Sequence, residues 1–351
     1  MKTFEIKTQD LTTSKIIIDK GQMKKLSFNN KNFYLITNTT LAKLYPNIIQ
    51  KFKTENVIII KDGEQYKNLK TVEYILDELL KRKVERSDTL FALGGGVVGD
   101  IAGFVASVIL RGIKLISIPT TLLAMCDSSI GGKTGYNSKY GKNLVGSFYF
   151  ASYVLIDTDF LQTLNDREFK CGMGEIVKYS LIEKSCRYGE YFDLIGYLQN
   201  ETLESIKNDP NYIIECCCAL KSHVVGLDKK EGGLRKILNL GHTFAHPFET
   251  LSNYKNMSHG EAVSLGIKCS AKYALIAGKI DQNYFDTINS LVDRFELCNT
   301  KMKFKKKDVL ELMYHDKKVV NSKINLLVPS GRALVEQDGN IQLSELEASL
   351  P

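Results

Sequence analysis

The stretch "NLGHTFAHPFETLSNYKNMSHGE", Asn239 to Glu261, holds His242, His246 and His259, three of the five histidines in the chain. His242 and His246 are four apart, which puts both rings on one face of a helix, and imidazoles so placed can coordinate a metal. A zinc-peptidase motif would need a glutamate after the first histidine, and Thr243 stands there instead. Reading backward, Arg235, Asn239, His242 and His246 are spaced four, three and four. A continuous helix would align them in a single polar stripe, and the apolar neighbours point that stripe into a polar cavity. His259 begins another helix, where Ser258 and Glu261 make an S-x-x-E capping box that engages Glu261. Two histidines need a third protein ligand to leave an open coordination position. Among many carboxylates the best placed is Glu175 in "CGMGEIVKY", which shares a helix face with Lys178. Taken singly, each histidine reads equally as a hydrogen-bonded structural residue.

A second stretch, "DTLFALGGGVVGDIAGFVAS", sets Gly94-x-Gly96-x-x-Gly99 after an apolar run and at the start of a helical one. Without Cβ atoms the backbone can approach a pyrophosphate, and the helix N-terminus adds partial positive charge. The dinucleotide fingerprint is incomplete, because no acidic residue follows about twenty positions on. The glycines also follow the third sheet strand, not the first. A tight turn packing on a helix would use the same residues. Further nucleotide contacts are expected from "DGEQYK", Asp62 to Lys67, and from Thr120 and Thr121, which follow strands.

The elements that must position these groups are readable from periodicity. "FYLITN" (33–38), "VIII" (57–60), "TLFAL" (89–93) and "KLISI" (114–118) are apolar runs of buried-strand length. Between the second and third, Leu69, Val72, Ile75, Leu76, Leu79 and Leu80 form an apolar helical stripe. Strand, helix, strand in this rhythm predicts a parallel sheet with crossover helices. "TFEIKT" and "KIIID" add a strand pair upstream. After about residue 165 the pattern turns helical in "EFKCGMGEIVKYSLIEK", "YIIECCCALKSHVVG" and "GEAVSLGIKCSAKYALIAG", with a late strand at "KINLLVPS". The expectation is an α/β Rossmann-like parallel-sheet domain over residues 1–165 and a mostly α-helical metal- and substrate-binding domain over 166–351.

With 44% hydrophobic and 25% charged residues, the chain reads as an ordinary soluble globular protein. No apolar signal segment opens it, and its longest membrane-like run stops at Arg111, too short to span. Eight cysteines without a CxxC pair read as reduced thiols, so a cytoplasmic enzyme is expected. The net charge of +7 is spread out apart from "KFKKK" (303–307), which speaks for an anionic small substrate and against nucleic acid or membrane partners.

Together the motifs resemble the 3-dehydroquinate synthase family of sugar-phosphate cyclases. "DGEQYK", "GGGVVGDIAGFVAS", "PTTLLAMCDSSIGGKTGYN", "GKNLVGSF", "GMGEIVKY", "LNLGHTFAHPFE" and "HGEAV" look like family signatures in family order, across roughly residues 60–330. The resemblance implies an NAD-binding α/β domain, a helical domain and an active site in the cleft between them. It implies a zinc or cobalt ion held by Glu175, His242 and His259, with His246 assigned to the substrate. The implied reaction converts 3-deoxy-D-arabino-heptulosonate 7-phosphate to 3-dehydroquinate by oxidation with NAD+, phosphate elimination, reduction and intramolecular aldol closure. Asn143, Lys178, Asn239 and one of Lys317 or Lys318 match positions that hold the phosphate. Lys221 and Arg235 match those for the carboxylate, a task suited to a forked guanidinium. Asp127, Lys133 and His246 match contacts to the sugar hydroxyls, and Arg111 matches a residue supporting that cluster. For NAD the match runs over Asp62, Gly63, Glu64, Gln65, Tyr66, Lys67, Gly96, Val97, Val98, Gly99, Asp100, Thr120, Thr121, Lys133, Lys142, Phe160, Leu161, Gln162 and Thr163. A homodimer is the expected assembly.

The chain departs from the family pattern at three places. Asn38 replaces the usual aspartate for the adenosine ribose, Ala151 replaces a proline, and Pro247 follows His246, where it removes a helical N–H and is expected to bend the helix. The rival readings are a cyclase for a sugar phosphate without a carboxylate, such as an inosose or valiolone synthase, and a metal-dependent polyol dehydrogenase. A nucleic-acid-binding or scaffold protein built on a dead enzyme is a third.

Overall fold

The computed structural model describes residues 1–7, 13–28, 30, 32–253, 256–298, 302–314 and 324–351. The chain forms two compact units, the first made of 1–165 with 210–230, the second of 166–209 with 231–351.

The strands of the first unit, in chain order, are β1 (Lys2–Lys7), β2 (Thr13–Ile18), β3 (Phe33–Asn38), β4 (Val57–Ile60), β5 (Thr89–Gly94), β6 (Lys114–Pro119), β7 (Lys133–Ser138), β8 (Gly141–Phe148) and β9 (Tyr153–Ile156). Among the described residues, seven of them form one sheet in the order β1-β2-β9-β6-β5-β3-β4. All neighbours run parallel except the β1–β2 pair, and β7 and β8 make a separate hairpin. From β3 the chain passes to β4 on one side and then returns to β5 on the other. That reversal is a topological switch point, where open α/β sheets bind ligands at the carboxyl ends of the strands. The glycines follow β5, which borders that crevice together with β3.

The helix Leu69–Lys81 buries Val72, Ile75 and Leu79, whereas Leu69 and Leu80 are exposed, so the buried line is narrower than the sequence stripe. The largest difference concerns Asn211–Leu227. The sequence reading assigned it to the second domain, but this helix belongs to the first unit and packs on β1, β2 and the turn Ala124–Ser128. Its buried Ile213, Ile214, Cys216, Cys217 and Cys218 supply an apolar face whose partner lies in that sheet, which helical periodicity alone does not reveal.

In the second unit the helix His259–Ile276 is the hub. It packs against the helices Asp166–Ile182, His242–Leu251, Gln282–Arg294 and Leu343–Ser349 and against β10 (Leu326–Gly331). β10 pairs antiparallel with β11 (Leu334–Asp338), a strand that the sequence reading did not list. Among the described residues no helix is long and apolar enough to cross a membrane, and the eight cysteines are free thiols, all buried except the half-buried Cys298.

Candidate active site

Three residues of the second unit converge as the sequence suggested, and glycines set the convergence. A Cβ on Gly260 would lie 2.2 Å from the Cys171 carbonyl oxygen, and one on Gly174 2.7 Å from the Gly260 carbonyl oxygen. The helices Asp166–Ile182 and His259–Ile276 therefore touch backbone to backbone beside Glu175 and His259. A Cβ on Gly266 would lie 2.1 Å from the Gly241 carbonyl oxygen, which brings the start of the third helix, His242, to the same place. Each of the three side chains is thus the chain neighbour of a glycine that permits the approach.

Glu175 is fully buried. Its Oε1 lies 3.2 Å from His259 Nε2 and 3.6 Å from His242 Nε2, and the three potential ligand atoms fall within 4.8 Å of one another. One carboxylate and two imidazoles suit zinc or cobalt, so the residues present fit a divalent cation. The remaining ring nitrogens face acceptors: His242 Nδ1 is 3.1 Å from the Leu240 carbonyl, and His259 Nδ1 is 3.4 Å from Glu249 Oε1. Burial pushes the His259 imidazole down, but Glu175 and Glu249 outweigh it and carry the ring well above the usual histidine range. Glu249 was missed by the sequence reading, although its place seven residues after His242 marks the same helix face.

The buried Lys178 ion-pairs with Glu175 one helical turn away. Arg235 is 1% exposed, while His246 is half-buried with its ring 5.8 Å from that of His242. The single stripe predicted for Arg235, Asn239, His242 and His246 is broken. Leu234–Asn239 is a 3-10 helix, Gly241 then takes a left-handed conformation (φ 79), and a new α-helix starts at His242. Asn239 Nδ2 donates to Glu231 Oε1 at 2.5 Å. The new helix continues through Pro247 to Leu251. Lys317 and Lys318 lie outside the described residues.

The first unit gathers the other set. A Cβ on Gly94 would strike Val98 at 2.5 Å and one on Gly96 would lie 3.3 Å from Ser128 Oγ, whereas one on Gly99 would meet nothing within 4 Å. Gly94 is therefore needed for strand-to-helix packing, and Gly99 leaves open a space that a ligand could fill. Gly96, Gly99, Asp100, Ser128 and Lys133 line one concavity. Val98 is buried, its side chain packed beside Gly94. Lys67 Nζ donates to Asp100 Oδ2 at 2.5 Å and to Asn143 Oδ1 at 2.6 Å. Burial pushes the Asp100 carboxyl up, against the opposing pull of Lys67. Lys221 Nζ donates to Asp127 Oδ1 at 2.8 Å and to its carbonyl at 2.7 Å.

Asn38 shows what its departure does. Its Oδ1 accepts from Leu41 N at 2.8 Å, capping a helix, and its Nδ2 donates to Asp62 Oδ1 at 2.9 Å. Thr40 donates to the other Asp62 oxygen at 2.7 Å, so Asp62 brings a carboxylate to the end of β3 where Asn38 stands. The turn Glu64–Tyr66 is tied down by Asn137, absent from the sequence prediction, whose Nδ2 donates to Glu64 Oε1 at 2.7 Å while Lys142 stands 4.0 Å away. Thr120 N donates to Gly94 O at 3.1 Å, and Thr121 Oγ1 accepts from Ala124 N at 3.2 Å. Phe160 and Leu161 are buried, with the exposed Gln162 and Thr163 beyond them. Arg111 stands apart: the helix Gly96–Val108, about 20 Å long, separates it from the glycine loop, and it is exposed.

A parallel-sheet unit with a glycine loop at its switch point, followed by a helical unit carrying a carboxylate–bis-imidazole cluster, defines a class of two-unit α/β-plus-helical proteins with groups suited to a phosphate ligand and a divalent cation. The family model described as 3-dehydroquinate synthase N-terminal matches residues 57–171, and the C-terminal one matches 172–319. The chain is 42% identical over 306 residues to 3-dehydroquinate synthase of Alkaliphilus metalliredigens, covering 86% of this chain and 85% of that one. It is 40% identical to that of Campylobacter fetus subsp. fetus, covering 88% of each. The chain belongs to the 3-dehydroquinate synthase family. In fold it is also similar to a solved 2-epi-5-epi-valiolone synthase from Streptomyces hygroscopicus subsp. jinggangensis with NAD+ and Zn2+ bound, at TM-score 0.81 and 23% identity over 95% of this chain and 94% of that one.

Proposed function

We propose that this protein converts 3-deoxy-D-arabino-heptulosonate 7-phosphate to 3-dehydroquinate and phosphate, as a cytoplasmic homodimer using NAD+ and a divalent cation. The observation that carries the reading is the buried Glu175 facing His242 Nε2 and His259 Nε2 beside Lys178. Those three side chains would hold the cation, which when bound supplies Lewis acidity toward a substrate hydroxyl. NAD+ supplies a hydride acceptor that returns the hydride later in the sequence. Its pyrophosphate would lie at the N-terminus of the helix Gly96–Val108, where Gly99 leaves the backbone open.

The other groups are assigned by their chemistry. Lys178, Asn143 and Asn239 would donate to the substrate phosphate, together with Lys317 or Lys318. Lys67 holds the Asn143 side-chain oxygen and so orients that amide. Arg235 and Lys221 would hold the carboxylate, and the buried guanidinium of Arg235 is suited to a bidentate pair. Asp127, Lys133 and His246 would orient the ring hydroxyls. The carboxylate contacts favour this substrate over one without a carboxylate.

The test is turnover with far less NAD+ than substrate. Hydride taken and returned within one catalytic visit predicts near-complete conversion, one phosphate released per product and no accumulating NADH. Stoichiometric release of NADH would instead identify a polyol dehydrogenase and overturn the proposal.

A further inference from the structure

Glu249 lies in the last turn of the helix His242–Leu251, seven residues from His242 and on its face. Negative charge is disfavoured at a helix C-terminus, and burying a carboxylate carries a desolvation cost. Yet Glu249 is 5% exposed, with Oε1 3.4 Å from His259 Nδ1. On its other side the same ring presents Nε2 to Glu175 Oε1 at 3.2 Å. His259 therefore stands between two carboxylates, one at each ring nitrogen. His242 has the parallel arrangement with a weaker acceptor, its Nδ1 facing the Leu240 carbonyl at 3.1 Å. The nearby Glu261 cannot serve His259 in this way, because it caps its own helix by accepting from Ser258 N at 2.6 Å.

An imidazole that ligates a cation must be neutral, with one N–H and one lone pair. An acceptor at Nδ1 places the proton there and leaves the lone pair on Nε2, toward the cluster. We infer that Glu249 is the positioning residue of the cation site, fixing the tautomer and orientation of His259 and strengthening its Nε2 as a donor. The inference rests on the metal reading given above and goes beyond its ligand set.

The experiment titrates metal-free wild type, H242A, E249Q and E249A with Co2+, reading affinity by chelator competition and the visible cobalt absorption band. Near-UV circular dichroism of the metal-free proteins reports the fold. Loss of such an outer partner costs on the order of 10–100-fold in metal affinity. E249A is expected at the upper part of that range with a shifted band. E249Q, which keeps an acceptor but loses the charge, is expected at about tenfold. A merely structural glutamate would leave affinity and band unchanged in the folded protein, and that result in E249Q overturns the inference. If E249A does not fold, E249Q decides by the same two readings. Cobalt uptake that H242A abolishes and E249Q leaves untouched sinks this inference alone. Wild type that takes up no Co2+, or H242A that binds as wild type, sinks the metal reading and the inference with it.

Discussion

In the first unit a methyl group built on Gly99 would meet no atom within 4 Å, whereas in the second one built on Gly260 would lie 2.2 Å from the Cys171 carbonyl oxygen. Both glycines stand in the first turn of a helix, and both belong to motifs that single out the chain. One keeps space open at a surface that a phosphate can approach. The other lets two helix backbones touch so that Glu175 and His259 can meet. A glycine motif thus has two physical meanings, and the neighbour at its missing Cβ tells them apart.

Substitution by alanine separates the two meanings most strongly. G260A drives a methyl into backbone that cannot rotate away, so a loss of about 3 kcal/mol or more is expected, with bound metal lost too. G99A adds a methyl to open space in a helix, where alanine is favoured by up to about 1 kcal/mol. Its fold should persist while NAD+ affinity falls. Denaturant unfolding and calorimetric NAD+ titration check the pair. Equal stability of G260A and wild type would show that the helices do not depend on that contact.

Within the second unit the histidines sharpen the same contrast. H259A should lose bound metal and activity with its fold retained, since one side chain at a helix start is removed. H246A should keep stoichiometric metal but turn over poorly. Metal analysis of the purified variants decides, and an equal fall in both would void the division of labour between the two histidines.

The sequence disclosed the first unit and the second to different depths. The strands 33–38 and 57–60 were legible residue by residue, because each is a short run rich in β-branched or aromatic residues that stops at polar turns. Glu175, His242 and His259 were legible as candidates from residue type, but their convergence depends on glycine contacts between helices far apart in sequence. The polar stripe failed at Gly241, since spacing carries no warning of a change from 3-10 to α-helix. The packing of the helix Asn211–Leu227 with the first unit was not legible, because amphipathicity states that a face is buried, not against what. Glu249 was overlooked for the reverse reason: a carboxylate looks solvated until its histidine partner is in place.

Arg235 offers a smaller, more selective effect. Lysine keeps the charge of R235K but loses the planar fork, so productive binding of the carboxylated substrate should weaken more than NAD+ binding. The expected change is about tenfold or more in kcat/KM, worth about 1.4 kcal/mol. An unchanged rate at low substrate would remove Arg235 from the substrate contacts.

The smallest expected effect compares two aspartates, each beside a lysine. Asp100 in the first unit lies 2.5 Å from Lys67, and burial still holds its carboxyl up. Asp338 in the second lies 3.2 Å from Lys279 and also accepts from Asn340 N at 2.9 Å. Burial pushes Asp338 up as well, but the Asn340 N–H and Lys279 outweigh it, so its carboxyl is held below the ordinary range. The signs are opposite. A lowered folded pKa adds stability that is fully present above the unfolded value, about 3.9, and is lost as pH falls through the folded one. A raised folded pKa makes ionisation cost stability, and that cost disappears as pH falls through it. D338N should therefore lower unfolding free energy by about 1 kcal/mol at neutral pH, with the deficit shrinking below about pH 4. Denaturant unfolding of wild type and D338N between neutral and acidic pH measures this difference. A deficit that stays constant across that range would show that Asp338 acts through packing and not through its charge.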